Sequence, residues 1–189
     1  INLFVGSNLR RHIDYDRIDY LPCFLSEIPT LFRSKKCPLD VALLHVSPPD
    51  RFGYCSLGVS VDVAKAAAES AKILIAQVNP NMPRLQGDGL ISIDSFSAIV
   101  DIDVPLPEIK SAPPTDQEKA IARFISELIE DGSTLQMGIG SIPDAVTRQL
   151  VDRKNLGIHT EMWSDGTLEL IERGVVTNAN KKVHRGKCV

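Results

Sequence analysis

The stretch LGIHTEMWSDG, residues 156–166, puts a carboxylate in an unusual place. Leu156 to His159 read as a short apolar strand that runs straight into Thr160 and Glu161, before Asp165 and Gly166 turn the chain. A glutamate there is ionised at neutral pH, since its reference pKa is about 4.3, and it needs no partner base. It is a poor nucleophile for amides. It can attack a thioester, whose leaving group is a stable thiolate, and so form a covalent acyl intermediate. Upstream lies GIGSIPDAV, residues 138–146, in which Gly138 and Gly140 let the backbone turn tightly and approach a ligand closely. Ser141 is placed to cap the helix that follows, with Asp144 three residues on, and Pro143 is tolerated in a first turn whose amides have no intrahelical acceptor. Such amides and the helix dipole favour negative charge.

Spacing alone leaves a competitor open. An acid about 20 residues after a glycine turn also fits a dinucleotide fold, where it binds a ribose hydroxyl. Against that reading, Pro143 replaces the third glycine, and MWSDG supplies more polar groups than ribose binding needs. A catalytically silent module that keeps only the fold is a third possibility. No Ser–His pairing offers a rival nucleophile.

Other side chains are weaker candidates. His159 alternates with Ile158 and could face a cleft, although a strand histidine is as a rule a packing residue, and His45 is read the same way. Arg84 could meet a carboxylate bidentately. Gln77 and Asn79 close a strand beside the loop that carries Arg84 and are candidate cleft-lining groups. Asp165 reads as the cap of a following helix. Trp163, the only tryptophan, either lines an acyl pocket or anchors the turn.

The elements that must hold these residues are those of an α/β protein. Three β-branched runs, 40–46, 71–78 and 97–104, read as buried strands, and 60–71 between the first two reads as a helix. Strand, helix, strand implies a parallel βαβ unit buried on both faces. Residues 79–89, rich in Pro, Gly and Asn, form a loop. VPLPEIKSAPPTD (104–116) is the expected domain boundary, with the linker at 105–114 between an N-terminal part, 1–104, and a second, 115–189. Thr115 and Glu118 make a capping-box pattern, and Ile121, Phe124, Ile125 and Leu128 follow at helical spacing. A second unit follows: strand 134–139, helix 142–151, strand 156–160, and a helix from Asp165 to Gly174. The fold expected is two related open parallel-sheet α/β domains, both incomplete. The chain opens inside INLFV without an initiator Met and ends at HRGKCV, so a fragment of a longer protein is expected.

Composition narrows the partners. Net charge is −3 over 189 residues, which argues against a phosphate-backbone footprint, so no nucleic-acid partner is expected. No apolar run reaches the ~18 residues of a membrane span, so no membrane partner is expected. Cys23, Cys37, Cys55 and Cys188 lack C-x-x-C spacing and imply neither a zinc site nor a disulfide framework. Free thiols in a reducing compartment, the cytoplasm or the mitochondrial matrix of a eukaryote, are expected.

GIGSIPDAV, LGIHTEMWSDG, GVVTN and KKVHRGK resemble the acetyl-CoA hydrolase/transferase family of class I CoA-transferases. FLSEIPTLF (24–32), DVALLHVSPPDRFGYCSLGVSVD (40–62) and NPNMPRLQGD (79–88) are similar too, so the resemblance covers nearly the whole chain. It implies two α/β domains with the active site between them. It implies that Glu161 attacks an acyl-CoA, giving an acyl-glutamyl anhydride and then a glutamyl-CoA thioester, from which a second carboxylate collects the CoA. Gly138, Ile139, Gly140, Ser141 and Ile142 match the segment that contacts CoA. Coenzyme A as acyl-CoA, a short-chain carboxylic acid, no metal, and a homodimer when full length complete the expectation. Members are roughly twice as long, and a later glycine-rich segment of the family is absent here. The 189-residue chain alone is therefore expected to have little or no transferase activity.

Overall fold

The computed structural model describes residues 3, 5–10, 14, 16–108 and 112–189. The chain divides into two compact units, 1–107 and 108–189, and the division falls inside the proline-rich stretch. The remainder of the expected linker includes 109–111, which lie outside the described residues.

In the first unit, the short helices α1 (Ser7–Arg10) and α2 (Ile28–Arg33) precede strand β1 (Val41–Val46). Strand β2 (Tyr54–Ser56), helix α3 (Ala64–Ser70), and strands β3 (Ile73–Val78), β4 (Leu90–Ser92) and β5 (Ala98–Asp101) follow. Strands β1, β3 and β5 form a parallel sheet in that order, with Leu43 opposite Ile75 and Ile75 opposite Ala98. β2 and β4 make a separate antiparallel pair. Helix α3 starts later than its pattern suggests, because Asp62 holds the amide of Ala64 at 3.3 Å in a turn ahead of it.

The even-numbered side chains of β1 and β3, Ala42, Leu44, Val46, Leu74, Ala76 and Val78, are buried with Ala68 of α3. The other face departs from the expectation of strands buried on both sides. Leu43 is 67% exposed, Val41 and Ile73 about half exposed, and β5 is exposed along its whole length. Period-two alternation of burial is present in these strands, but only His45 and Gln77 mark the bare face of β1 and β3, and the large apolar residues Val41, Leu43, Ile73 and Ile75 beside them read as buried.

In the second unit, helix α4 (Asp116–Glu127) begins with the expected capping box. Thr115 Oγ1 accepts the Glu118 amide at 3.3 Å, and a Glu118 carboxylate oxygen accepts the Thr115 amide at 2.7 Å. Its buried residues are Ala122 and Ser126. Ile121, Phe124, Ile125 and Leu128, which share the helical spacing, are exposed, Leu128 by 83%. Small side chains let α4 lie close against its neighbour α5 (Ser141–Thr147), which leaves the large stripe pointing away from that contact.

Strands β6 (Thr134–Leu135) and β7 (Gly157–Ile158) pair in parallel, Thr134 opposite Gly157 and Leu135 opposite Ile158. They are shorter than the expected strands 134–139 and 156–160, and α5 ends in a turn well before 151. Helix α6 (Asp165–Glu172) ends ahead of Gly174, whose φ of +73° suits a helix stop. The core of this unit, Leu150, Leu156, Ile158 and Leu170, is at most 1% exposed. Each such side chain contributes about 2 kcal/mol of burial.

Candidate active site

β6 and β7 stop early, and a side chain continues their ladder. His159 donates its amide to Leu135 O at 2.9 Å, the last backbone rung. Beyond it, Thr160 Oγ1 accepts the Met137 amide at 3.0 Å and lies 2.9 Å from Met137 O and 3.0 Å from Met162 O as a donor. The hydroxyl thus fastens the chain entering the glycine turn to the chain entering Glu161. Sequence reasoning passed over Thr160. The available signal was a hydroxyl residue at the point where a strand gives way to a functional turn.

Glu161 sits in the bend after β7, exposed, and its carboxylate has no hydrogen-bond or ion-pair partner among the described residues. Met162 and Trp163 beside it are 38% and 49% exposed. Ser164, not Asp165, occupies the cap position of α6; Asp165 is its first helical residue.

The glycine turn ends at Gly140, whose φ of +115° is in the left-handed region that favours glycine. A Cβ there would meet nothing within 4 Å, so the conformation, not a lack of space, calls for glycine. Gly138 has only an ordinary contact with Pro143, 3.5 Å from where a Cβ would lie. Ile139 is 62% exposed. Gly140 takes the cap position expected of Ser141, and Ser141 and Ile142 open α5. The Ser141 hydroxyl instead donates to Glu118 Oε1, tying the turn to α4. That bond, followed by the Thr115 amide and hydroxyl, holds the Glu118 carboxyl below its ordinary value.

His159 is exposed, with its ring 6.1 Å from that of His184. It lines a hollow of about 400 Å³ with Thr134, Asn180 and Lys182.

The remaining candidates belong to the first unit. Gln77 lies in β3 opposite His45 and Val100, half-buried. Asn79 is fully buried and wholly engaged: its Nδ2 donates to Val104 O at 2.9 Å, and its Oδ1 accepts the Asn81 amide at 3.1 Å. Its role in this unit is to fasten the end of β3 to the chain leaving β5. Arg84 donates to Asp50 Oδ2 at 2.6 Å and to Tyr54 O at 2.8 Å, so its guanidinium already holds a carboxylate. The Tyr54 and Phe52 amides, with Arg84, keep Asp50 below the usual range. Among the described residues no cluster of three or more His, Cys, Asp or Glu could hold a metal ion, and all four cysteines are free.

A parallel strand pair, a glycine turn and, past the second strand, an exposed carboxylate without a partner among the described residues make up the candidate site of this α/β unit. The chain belongs to the acetyl-CoA hydrolase/transferase family: the model of that family's N-terminal domain matches residues 2–122. It is 53% identical over 187 residues to the 4-hydroxybutyrate coenzyme A transferase of Clostridium kluyveri, covering 99% of this chain and 44% of that protein. It is 49% identical to a succinyl-CoA:acetate/propanoyl-CoA:succinate CoA transferase of Fasciola hepatica, covering all of this chain and 40% of that one. Among solved structures it matches 4-hydroxybutyrate CoA-transferase from Porphyromonas gingivalis at 44% identity and TM-score 0.84, over 92% of this chain and 44% of the other. RipA from Yersinia pestis matches at 38% identity and TM-score 0.90, over 98% and 45%. The chain spans less than half the length of these relatives.

Proposed function

We propose that this chain is the nucleophile-bearing part of a CoA-transferase that moves CoA between an acyl-CoA and a short-chain carboxylate of the 4-hydroxybutyrate, butyrate or acetate type. The observation that carries the reading is Glu161, an exposed carboxylate without a partner, set just past the Thr160 fastening. The names of the relatives support the reaction class, and their acyl groups differ, from 4-hydroxybutyrate to succinyl and propanoyl.

In this reading a Glu161 carboxylate oxygen attacks the thioester carbonyl carbon. The C–S bond breaks and CoA leaves as its thiolate, giving a mixed anhydride. The thiolate then attacks the glutamyl carbonyl, the former acyl group departs as a carboxylate, and a glutamyl-CoA thioester remains. An incoming carboxylate reverses both steps, forming a new acyl-CoA and freeing Glu161. No electrons are gained or lost, and no metal is needed. Gly138, Ile139, Gly140, Ser141 and Ile142 are the proposed CoA contacts. Gln77 and His159 remain available to touch substrate, whereas Asn79 and Arg84 do so only by giving up the bonds described above. Hydrolysis of the thioester by water is the alternative outcome of the same intermediate. The full-length protein is proposed to act as a cytoplasmic homodimer; no described helix is long and apolar enough to cross a membrane.

The test is to incubate the full-length protein with acyl-CoA and search for the adduct by mass spectrometry, before and after borohydride. A CoA thioester on Glu161 is expected, and Glu161→Gln should lower turnover by on the order of 10³-fold or more. Unchanged turnover in Glu161→Gln sinks the proposal. Tight NAD binding lost with that substitution would favour the dinucleotide reading.

A further inference from the structure

The outer edge of β7, the edge away from β6, is completed in an irregular way. Three amides point to it. Leu156 N–H donates to Val175 O at 2.9 Å, and Thr160 N–H donates to Val189 O at 2.6 Å. Val176 bridges Leu156 in parallel, and Val189 N–H returns to Ile158 O at 3.3 Å. Thr177 and Asn178 N–H both donate to Leu156 O at 3.0 Å, so two short pieces of one passing strand flank Ile158, and residues 179–188 leave the ladder between them.

Two side chains fill the gap. Asn178 Oδ1 accepts the Ile158 amide at 2.8 Å. Lys181 Nζ donates to Ile158 O at 2.6 Å and to Lys187 O at 2.7 Å. Lys181 is 2% exposed and has no carboxylate partner among the described residues. Its stem crosses β7 at Gly157, where a Cβ would lie 2.7 Å from Lys181 Cγ and 3.0 Å from Thr134 Oγ1. Glycine there makes the crossing possible.

An ammonium buried without a counter-ion is costly unless its hydrogen bonds are made, and here two carbonyls receive them. A plain strand could have satisfied Ile158 with backbone alone. The lysine instead joins the carbonyl of Ile158, three residues before Glu161, to the carbonyl of Lys187, just ahead of the residues that hold Thr160. We infer that Lys181 is a positioning residue for Glu161: its ammonium fixes where β7 ends and hence where the carboxylate stands. This rests on the reading of Glu161 as nucleophile.

The test uses the full-length protein. Lys181→Met keeps the length and apolar stem but removes the donors, leaving Ile158 O with the 3.3 Å contact from Val189. A displacement of about 1 Å at a reacting group costs about 100-fold, so kcat and the rate of glutamyl-CoA formation should fall about that far. KM for the acyl-CoA should stay within about twofold, because the CoA contacts lie on another segment. Both are measured below the variant's melting temperature, on protein with wild-type circular dichroism, so lower stability alone does not move them. Lys181→Gln, which retains an amide donor, should recover part of the lost kcat. A folded Lys181→Met with wild-type kcat, or one whose loss appears in KM alone, overturns the inference. So does failure of both variants to fold, since Lys181 would then be a residue of the fold only. Full activity in Glu161→Gln, run in parallel, would show instead that the nucleophile reading has failed.

Discussion

Thr160→Val separates the hydroxyl of this residue from its shape. Valine keeps the branched Cβ and nearly the same volume, so packing after β7 is preserved and only the oxygen is lost. The substitution strands two groups of Met137, the amide held at 3.0 Å and the carbonyl at 2.9 Å, in a residue only 8% exposed. A buried polar group left without a partner costs about 1–3 kcal/mol. Thr160 itself is only half-buried, and water can reach part of the vacated site, so the lower end applies to each group and the total is about 2 kcal/mol. The assay is urea unfolding of the 189-residue chain followed by the fluorescence of Trp163, which as the only tryptophan reports the second unit alone. Thr160→Ser, which keeps the oxygen, should lie within about 1 kcal/mol of the parent. If valine costs less than about 0.5 kcal/mol, or serine costs as much as valine, the fastening role assigned to the hydroxyl is wrong.

Two further outcomes follow from the packing and the electrostatics. In the 189-residue chain, Leu44→Ala should cost about 2–5 kcal/mol. Leu43→Ala, one residue away on the bare face, should stay within about 0.5 kcal/mol by urea unfolding, and equal costs would refute the assignment of faces. The depressed Glu118 carboxyl contributes stability that is complete above the unfolded glutamate value near 4.3 and is lost as pH falls through the lower folded value. Ser141→Ala should therefore move the Glu118 titration, followed by carboxyl NMR, back up toward the ordinary value, and no movement would remove Ser141 as the main cause.

The βαβ order, the capping box at Thr115 and the helix from Asp165 toward Gly174 were legible because each rests on local signals: periodicity, a cap at fixed offset, a glycine stop. The strands expected to be buried on both faces are bare on one, and the direction of burial was not legible in α4 either. Ile121, Phe124, Ile125 and Leu128 have the right spacing for a core stripe, yet Ala122 and Ser126 are the pair buried. Periodicity gives the width of a face and says nothing about which neighbour exists to cover it. At the site, Glu161 stood out because an acid after an apolar strand is anomalous. The parts played by Asn79, Arg84, Ser141 and Lys181 depend on partners far along the chain, Val104, Asp50, Glu118 and Ile158, and no spacing rule joins them.

Strands β1 to β5 pair with one another between residues 41 and 101, ahead of the proline-rich stretch. During synthesis this sheet can therefore assemble while the second unit is still emerging from the ribosome. Parallel pairing rewards the chain only after a long loop has closed, so that assembly is slow. The oily surface around Leu43 and Val100 is bare in the finished unit as well, so it lies open to chaperones from the moment the sheet forms.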